Sequence, residues 1–112
     1  MSDVRLSRRL VLEAPQRSDD GSGGFIEAWV PLGELWADVS ARTGRERVVA
    51  TASVSVMSYK IVVRAAPYGS PARPQPEQRF REGSRVFNIK AVAERDPEGR
   101  HLTCFADEEV AV

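Results

Sequence analysis

Between Ser53 and Ala66 the chain alternates almost without a break. Met57, Tyr59, Ile61, Val63 and Ala65 fall on one side of an extended backbone, and Ser58, Lys60, Val62 and Arg64 on the other. Successive side chains of a strand point to opposite faces, so this pattern makes a strand with one face toward a core, whereas a helix would scatter the same residues around its circumference. A single strand or hairpin is not stable in water. The rest of the chain must therefore supply further strands to pair with this one.

Several segments do so. Arg8 to Ala14 sets Leu10, Leu12 and Ala14 against Arg9, Val11 and Glu13. Phe25 to Val30 is aromatic and β-branched, and Pro31, which lacks a ladder N–H, is expected to end it. From Leu35 to Ala41, Leu35, Ala37, Val39 and Ala41 share a face opposite Trp36, Asp38, Ser40 and Arg42. Arg85 to Ala93 places Phe87, Ile89 and Ala91 together, and Arg100 to Ala106 does the same for Leu102, Cys104 and Ala106. The intervening Asp96-Pro97-Glu98-Gly99 marks these last two as a hairpin. Gly44 to Ala52 fits no period and leaves a helical turn or an irregular crossover equally open.

Two segments are too polar and too rich in turn formers to be core. Pro15 to Gly24 reads as an exposed loop. Pro67 to Gln78 holds four of the seven prolines and reads as an extended, partly stiff loop. The expected fold is all-β: a small antiparallel β-barrel of about six strands, with long loops at 15–24 and 67–78 and at most a short helix. At 112 residues the chain has room for one domain.

Composition narrows the function. Sixteen basic residues balance sixteen acidic ones, which argues against a general phosphate-driven nucleic-acid binder. No apolar run is long enough to span a bilayer or serve as an export signal, so no membrane partner is expected. Fourteen of the basic residues are arginine, a bias attributed first to a GC-rich genome and second to forked carboxylate pairs at subunit interfaces.

Catalytic and cofactor chemistry finds little support. Cys104 is the single cysteine and His101 the single histidine, so neither a CxxC pair nor a Cys/His metal set exists. His101 reads as an exposed strand residue. Ser53, Ser55 and Ser58 have no base beside them in the pattern. Gly21, Gly23 and Gly24 lack the spacing and lysine of a phosphate loop. No cofactor is expected. Asp107, Glu108 and Glu109 read as a solvated tail, or as acids that meet arginines on a neighbour. Arg79, Arg81 and Arg85 surround Phe80 and Phe87, a mixture that suits a single-strand nucleic-acid groove but equally the solvated side of a strand. Of Trp29 and Trp36, one is expected in the core and the other, Trp36 on the polar face of its strand, at a contact.

Leu35-Trp36-Ala37-Asp38-Val39 followed by Gly44-Arg45-Glu46, then Tyr59-Lys60-Ile61-Val62-Val63-Arg64, Arg85-Val86-Phe87-Asn88-Ile89-Lys90-Ala91-Val92, the turn at Asp96 and the closing Leu102-Thr103-Cys104-Phe105-Ala106 resemble, in order and spacing, the phage head–tail joining family. That family comprises head closure or stopper proteins and head–tail adaptors, including those of gene transfer agents. The long proline-rich segment after Arg64 departs from its commonest pattern.

The resemblance implies a non-enzymatic subunit that forms a ring, a dodecamer by analogy with portal-bound rings. Such a ring sits below the portal or a portal-bound adaptor, extends the DNA channel and meets a tail terminator or tail-completion protein. The location implied is the neck of a virion or phage-like particle assembled in the bacterial cytoplasm. On this reading the loop residues Pro67, Tyr68, Arg73 and Gln75 or the 15–24 loop make ring or channel contacts. Arg79, Arg81 and Arg85 would complement Asp107, Glu108 and Glu109 of a neighbouring subunit. The alternative is a free-standing OB-like nucleic-acid-binding module.

Overall fold

The computed structural model describes residues 3–49 and 52–111. Six antiparallel strands make one sheet: β1 (Arg8–Asp19), β2 (Phe25–Val49), β3 (Ala52–Arg64), β4 (Arg79–Glu82), β5 (Arg85–Glu94) and β6 (His101–Ala111). Their order is β1-β2-β3-β6-β5-β4, and β4 pairs back onto β1 to close the barrel. No helix occurs among the described residues.

The closing seam is short. β1 and β4 pair over Val11↔Arg81, Leu12↔Phe80 and Glu13↔Arg79, against far longer ladders for β1–β2 and β2–β3. Inside the barrel Leu10, Leu12, Ala37, Ile61, Val63, Phe80, Phe87, Ile89, Leu102, Cys104 and Ala106 form one buried cluster drawn from every strand. The alternating residues of β1, β3 and β6 face inward as their period requires. At the far end of β3, however, Met57 leaves the core and is exposed.

Four local expectations are corrected. The loop assigned to 15–24 shrinks to a tip, because β1 runs through Pro15 to Asp19 paired with β2. Pro31 does not end a strand: 25–30 and 35–41 are parts of one 25-residue β2. Both prolines lie where their strand is laddered on one side only, since β4 leaves β1 after Glu13 and β3 does not reach β2 before Ala37. A missing N–H is harmless there. Beside Pro31, Leu32 bulges out of the ladder between Leu12↔Gly33 and Glu13↔Pro31, and Gly33 takes φ +150, a conformation that glycine tolerates best.

The segment left undecided, 44–52, is β2 to Val49 and β3 from Ala52; residues 50 and 51 lie outside the described set. In β5 a bulge between Ile89 and Ala91 reverses the alternation, so Ala91 is exposed and Val92 packs on the core instead.

One strand is additional. Arg79–Glu82 pairs with β5 through the two-residue loop Gly83-Ser84, with positive φ at Gly83 only, as a type II′ turn requires.

The barrel carries two extensions. Beyond Glu13 the β1–β2 ladder continues to Asp19↔Phe25 with no third strand beside it, an arm reaching roughly 20 Å at about 3.3 Å per residue. At the other end β2, β3 and β6 run on together past Tyr59. The radius of gyration, 15.4 Å, exceeds the roughly 13 Å of a compact chain of this length for that reason.

Candidate assembly interface

The two mouths of the barrel are closed differently. At one, the inward positions that continue the apolar rows are polar: Arg8 before Leu10, Glu82 after Phe80, Arg85 before Phe87, Glu108 after Ala106, and Tyr59 before Ile61. Arg85 donates to both oxygens of Glu108, Nε to Oε2 at 2.8 Å and Nη2 to Oε1 at 3.0 Å, and Nη2 also reaches the Tyr59 hydroxyl at 3.0 Å. Arg8 makes the same forked pair with Glu82. Phe87 joins this layer to the core, edge-on to Tyr59 at 5.1 Å and beneath Arg85.

Hydrogen bonds from Arg85 hold the Glu108 carboxyl below the ordinary carboxylate range, against an opposing effect of burial. The bond from Arg8 does the same for Glu82. The guanidinium of Arg85 is correspondingly harder to deprotonate.

At the other mouth the 65–78 segment folds over the barrel as a chain of turns. Ser70 N–H donates to Pro67, Arg73 N–H to Ser70 and Gln78 N–H to Gln75, while Pro74 is buried and the Arg73 guanidinium donates to the Ala66 carbonyl at 2.8 Å. Tyr68 is 82% exposed and stacks on Arg73 at 3.8 Å. Pro67 and Gln75 are also exposed.

The outer face carries a second buried acid. Glu13 sits under Arg79 and Arg81, with Nε–O distances of 2.7 and 2.9 Å, and Arg79 is sandwiched against the Trp29 ring at 4.1 Å. Burial pushes the Glu13 carboxyl up, but the two arginine hydrogen bonds outweigh it and leave it below its ordinary range.

The arginine–acid match expected between subunits is thus made inside the chain for Arg85 with Glu108, and Arg79 and Arg81 are paired to Glu13, which sequence reasoning missed. Glu108 is not in a solvated tail: it lies on β6, buried, because it continues the inward row Leu102, Cys104, Ala106. Asp107 accepts from the Ser58 hydroxyl at 3.0 Å on the opposite face, and Glu109 is exposed. With three guanidinium groups committed to carboxylates, the 79–85 cluster offers little of the open cationic groove that a single strand would need.

Nothing at the remaining candidates suggests catalysis. No group of three or more His, Cys, Asp or Glu side chains is placed to hold a metal ion among the described residues. His101 is half-buried rather than exposed, with Nδ1 3.4 Å from Asp96. Ser58 and His101 stand six ladder positions apart on the β3–β6 pair, Ser58↔Asp107 against Arg64↔His101. Burial pushes the Cys104 thiol up to about 12. No helix among the described residues is long and apolar enough to cross a membrane.

What remains exposed is apolar and localised. Phe25 and Ile26, at the arm tip, are 66% and 55% exposed. Trp36 is 55% exposed and borders a cleft of about 290 Å³ that also takes in Leu35, Arg64, Ala65 and Ala72. Trp29 is half-buried beside Arg79, so neither tryptophan is in the core.

Residues 1–109 match the model of the phage head completion protein family. The chain belongs to that family. Head completion proteins are structural components and not enzymes. The fold matches a chain in the virion of a native gene transfer agent particle, with 50% identity over the whole of both chains and a TM-score of 0.87. It also matches the solution structure of protein SF1141 from Shigella flexneri 2a, with 22% identity over 96% of each chain and a TM-score of 0.67, a likeness of fold alone. No curated protein matches the chain significantly. As a head completion protein the chain is a particle component.

Proposed function

We propose that this protein is a head–tail adaptor or stopper subunit, a ring-forming neck component that sits below the portal, extends the DNA channel and joins the filled head to the tail. The observation that carries the reading is the 50% identity, end to end, with a chain of a gene transfer agent virion, together with the head completion family match. The architecture suits the task. A closed barrel has no open sheet edge of its own, while the arm projects from it and the 65–78 segment, folded over one mouth, leaves Pro67, Tyr68 and Gln75 exposed to neighbours.

In this proposal the ring, of twelve copies by analogy, assembles in the bacterial cytoplasm onto the portal or a portal-bound adaptor and then receives a tail terminator or tail-completion protein. The exposed Pro67, Tyr68 and Gln75 and the arm tip supply ring, portal or channel contacts. Deleting the gene and imaging particles by electron microscopy tests the role: DNA-filled heads without tails are expected, and normal tailed particles would refute it. Shortening 67–72 or 19–24 should impair assembly while the purified barrel stays folded.

A further inference from the structure

We infer that the arm tip, which bears Phe25 and Ile26, docks on the Trp36 cleft of a second copy of this chain, so that each subunit is both donor and acceptor in a head-to-tail ring. The inference rests on the ring reading above and names the contact that builds it.

Three observations converge. The first is that both features expose large apolar side chains. Phe25 and Ile26 stand at the end of a two-stranded arm with no third strand beside it, and Trp36 lies on a strand face otherwise lined with charge. Exposed tryptophans beside an apolar cleft are typical anchors of protein contacts. The cleft walls, Leu35, Ala65 and Ala72, are small or aliphatic, and its volume of about 290 Å³ has room for one large side chain.

The second is charge. The tip carries Asp19 and Asp20, whose Oδ1 atoms cap the turn by accepting from Gly21 and from Ser22 and Gly24. The cleft carries Glu34, whose carboxylate is paired to Arg9 at 3.0 Å, and Arg64, exposed and without an ion-pair partner among the described residues, which leaves the rim a net positive charge. An acidic tip facing a basic rim sets the orientation of entry and disfavours tip against tip.

The third is reach. Phe25 and Trp36 lie on the same continuous strand, so from position 25 to position 36 they are roughly 35 Å apart at about 3.3 Å per residue. A laddered strand does not fold back on itself, so the arm cannot fill its own cleft. Two different patches that complement one another across copies make a heterologous contact, which closes into a ring when the rotation allows.

Cysteine pairing tests this directly, because Cys104 is buried with its thiol pushed up to about 12 and does not compete. The double variant I26C/A72C, assembled into particles and oxidised with copper phenanthroline, should run as a ladder of covalent multimers. I26C alone and A72C alone should stay monomeric, and the two singles mixed should give dimers only. Tailed particles of the double variant with no crosslink would overturn the contact while leaving the neck role intact. Dimers from I26C alone would overturn it too, since they mean tip against tip. A second measurement does not depend on the cysteines: Phe25→Ser and Trp36→Ser should leave the thermal midpoint of purified protein unchanged and each lower tailed-particle yield roughly tenfold or more, the size expected for a contact anchor. Wild-type yield from either would overturn the inference. Normal tailed particles after gene deletion would instead remove the neck role itself.

Discussion

The two mouths of the barrel perform one task, keeping water out of the Phe80–Phe87 core, with opposite chemistry. The mouth around Arg85 and Glu108 is shut by charge, and the mouth under Pro74 is shut by a folded loop. The charged closure is costly to desolvate and holds only because each carboxylate receives a forked arginine. The proline closure rests on no carboxylate–arginine pair: its one guanidinium, that of Arg73, bonds the Ala66 carbonyl. Its turns are fixed locally, by the backbone hydrogen bonds Ser70 to Pro67, Arg73 to Ser70 and Gln78 to Gln75, and by prolines whose φ is already restricted. One end of the molecule should therefore respond to pH and to loss of a partner, while the other should respond to backbone changes.

The largest expected effect comes from breaking the ionic mouth on one side. Glu108→Ala removes both of Arg85's carboxylate bonds and should destabilise the protein by about 2–3 kcal/mol in urea unfolding. That is less than for a fully buried pair, because the Arg85 side chain keeps 40% exposure. The paired replacement Arg85→Met with Glu108→Leu should recover most of that loss, since no charge is left stranded. A double variant as unstable as Glu108→Ala would mean that the pair contributes more than mutual neutralisation.

At the other mouth, Pro74→Ala should cost about 1–2 kcal/mol through lost packing and a looser unfolded chain, with no change in pH dependence. A shift in the acid limb of its stability curve would blur the distinction between the ends.

Acid itself compares the ends within one molecule. Glu13, Glu82 and Glu108 all have folded-state pKa values below those of the unfolded chain, so the unfolded state binds more protons. Their contribution is present above the unfolded value, about 4.3, and is lost as pH falls through the lower folded values. Unfolding free energy should be level from neutral pH to roughly pH 5 and fall beneath it. Hydrogen exchange at 82–86 should accelerate before exchange at 73–78; the reverse order would refute the assignment of charge to one end.

The smallest effect belongs to the outer face. Arg81→Ala alone should cost under about 1 kcal/mol, because Arg79 still pairs Glu13 and Arg81 is itself 38% exposed. Removing Arg79 as well should cost more than the two single changes summed, since only then is a buried carboxylate abandoned.

How far the sequence could be read depended on which face of a strand was in question. The inward rows of β1, β3 and β6 follow from simple alternation, and Leu10, Leu12, Ile61, Val63, Leu102, Cys104 and Ala106 are buried as the period requires. The number of strands came out alike for a mixed reason: two expected strands proved to be one, and Arg79–Glu82 was an extra one. A proline inside a strand is silent about whether the strand has one neighbour or two, and only pairing shows that Pro15 and Pro31 are harmless. The Gly83-Ser84 dipeptide between Arg-Phe-Arg and Val-Phe-Asn did carry a hairpin signal. Bulges such as that at Ile89/Ala91 insert a residue without any marker in composition, so Val92 was not legible as a core contact.

The charged sites were partly legible. Extending the row Leu102, Cys104, Ala106 by two residues leads to Glu108, and extending Phe87 back by two leads to Arg85, which places both at the barrel mouth. The partnership of Glu13 with Arg79 was not legible, because it depends on the β1–β4 closure between residues 66 positions apart.

The closing seam has a mechanical meaning as well. A hoop yields at its thinnest joint, and here that joint is the three residue pairs between β1 and β4. Glu13 on one side is gripped by Arg79 and Arg81 on the other, and Arg8 by Glu82, so the ion pairs act as rivets laid across the gap. A subunit pulled open around its girth would part there, and its resistance would be measured by how much force shears those rivets before the backbone ladder lets go.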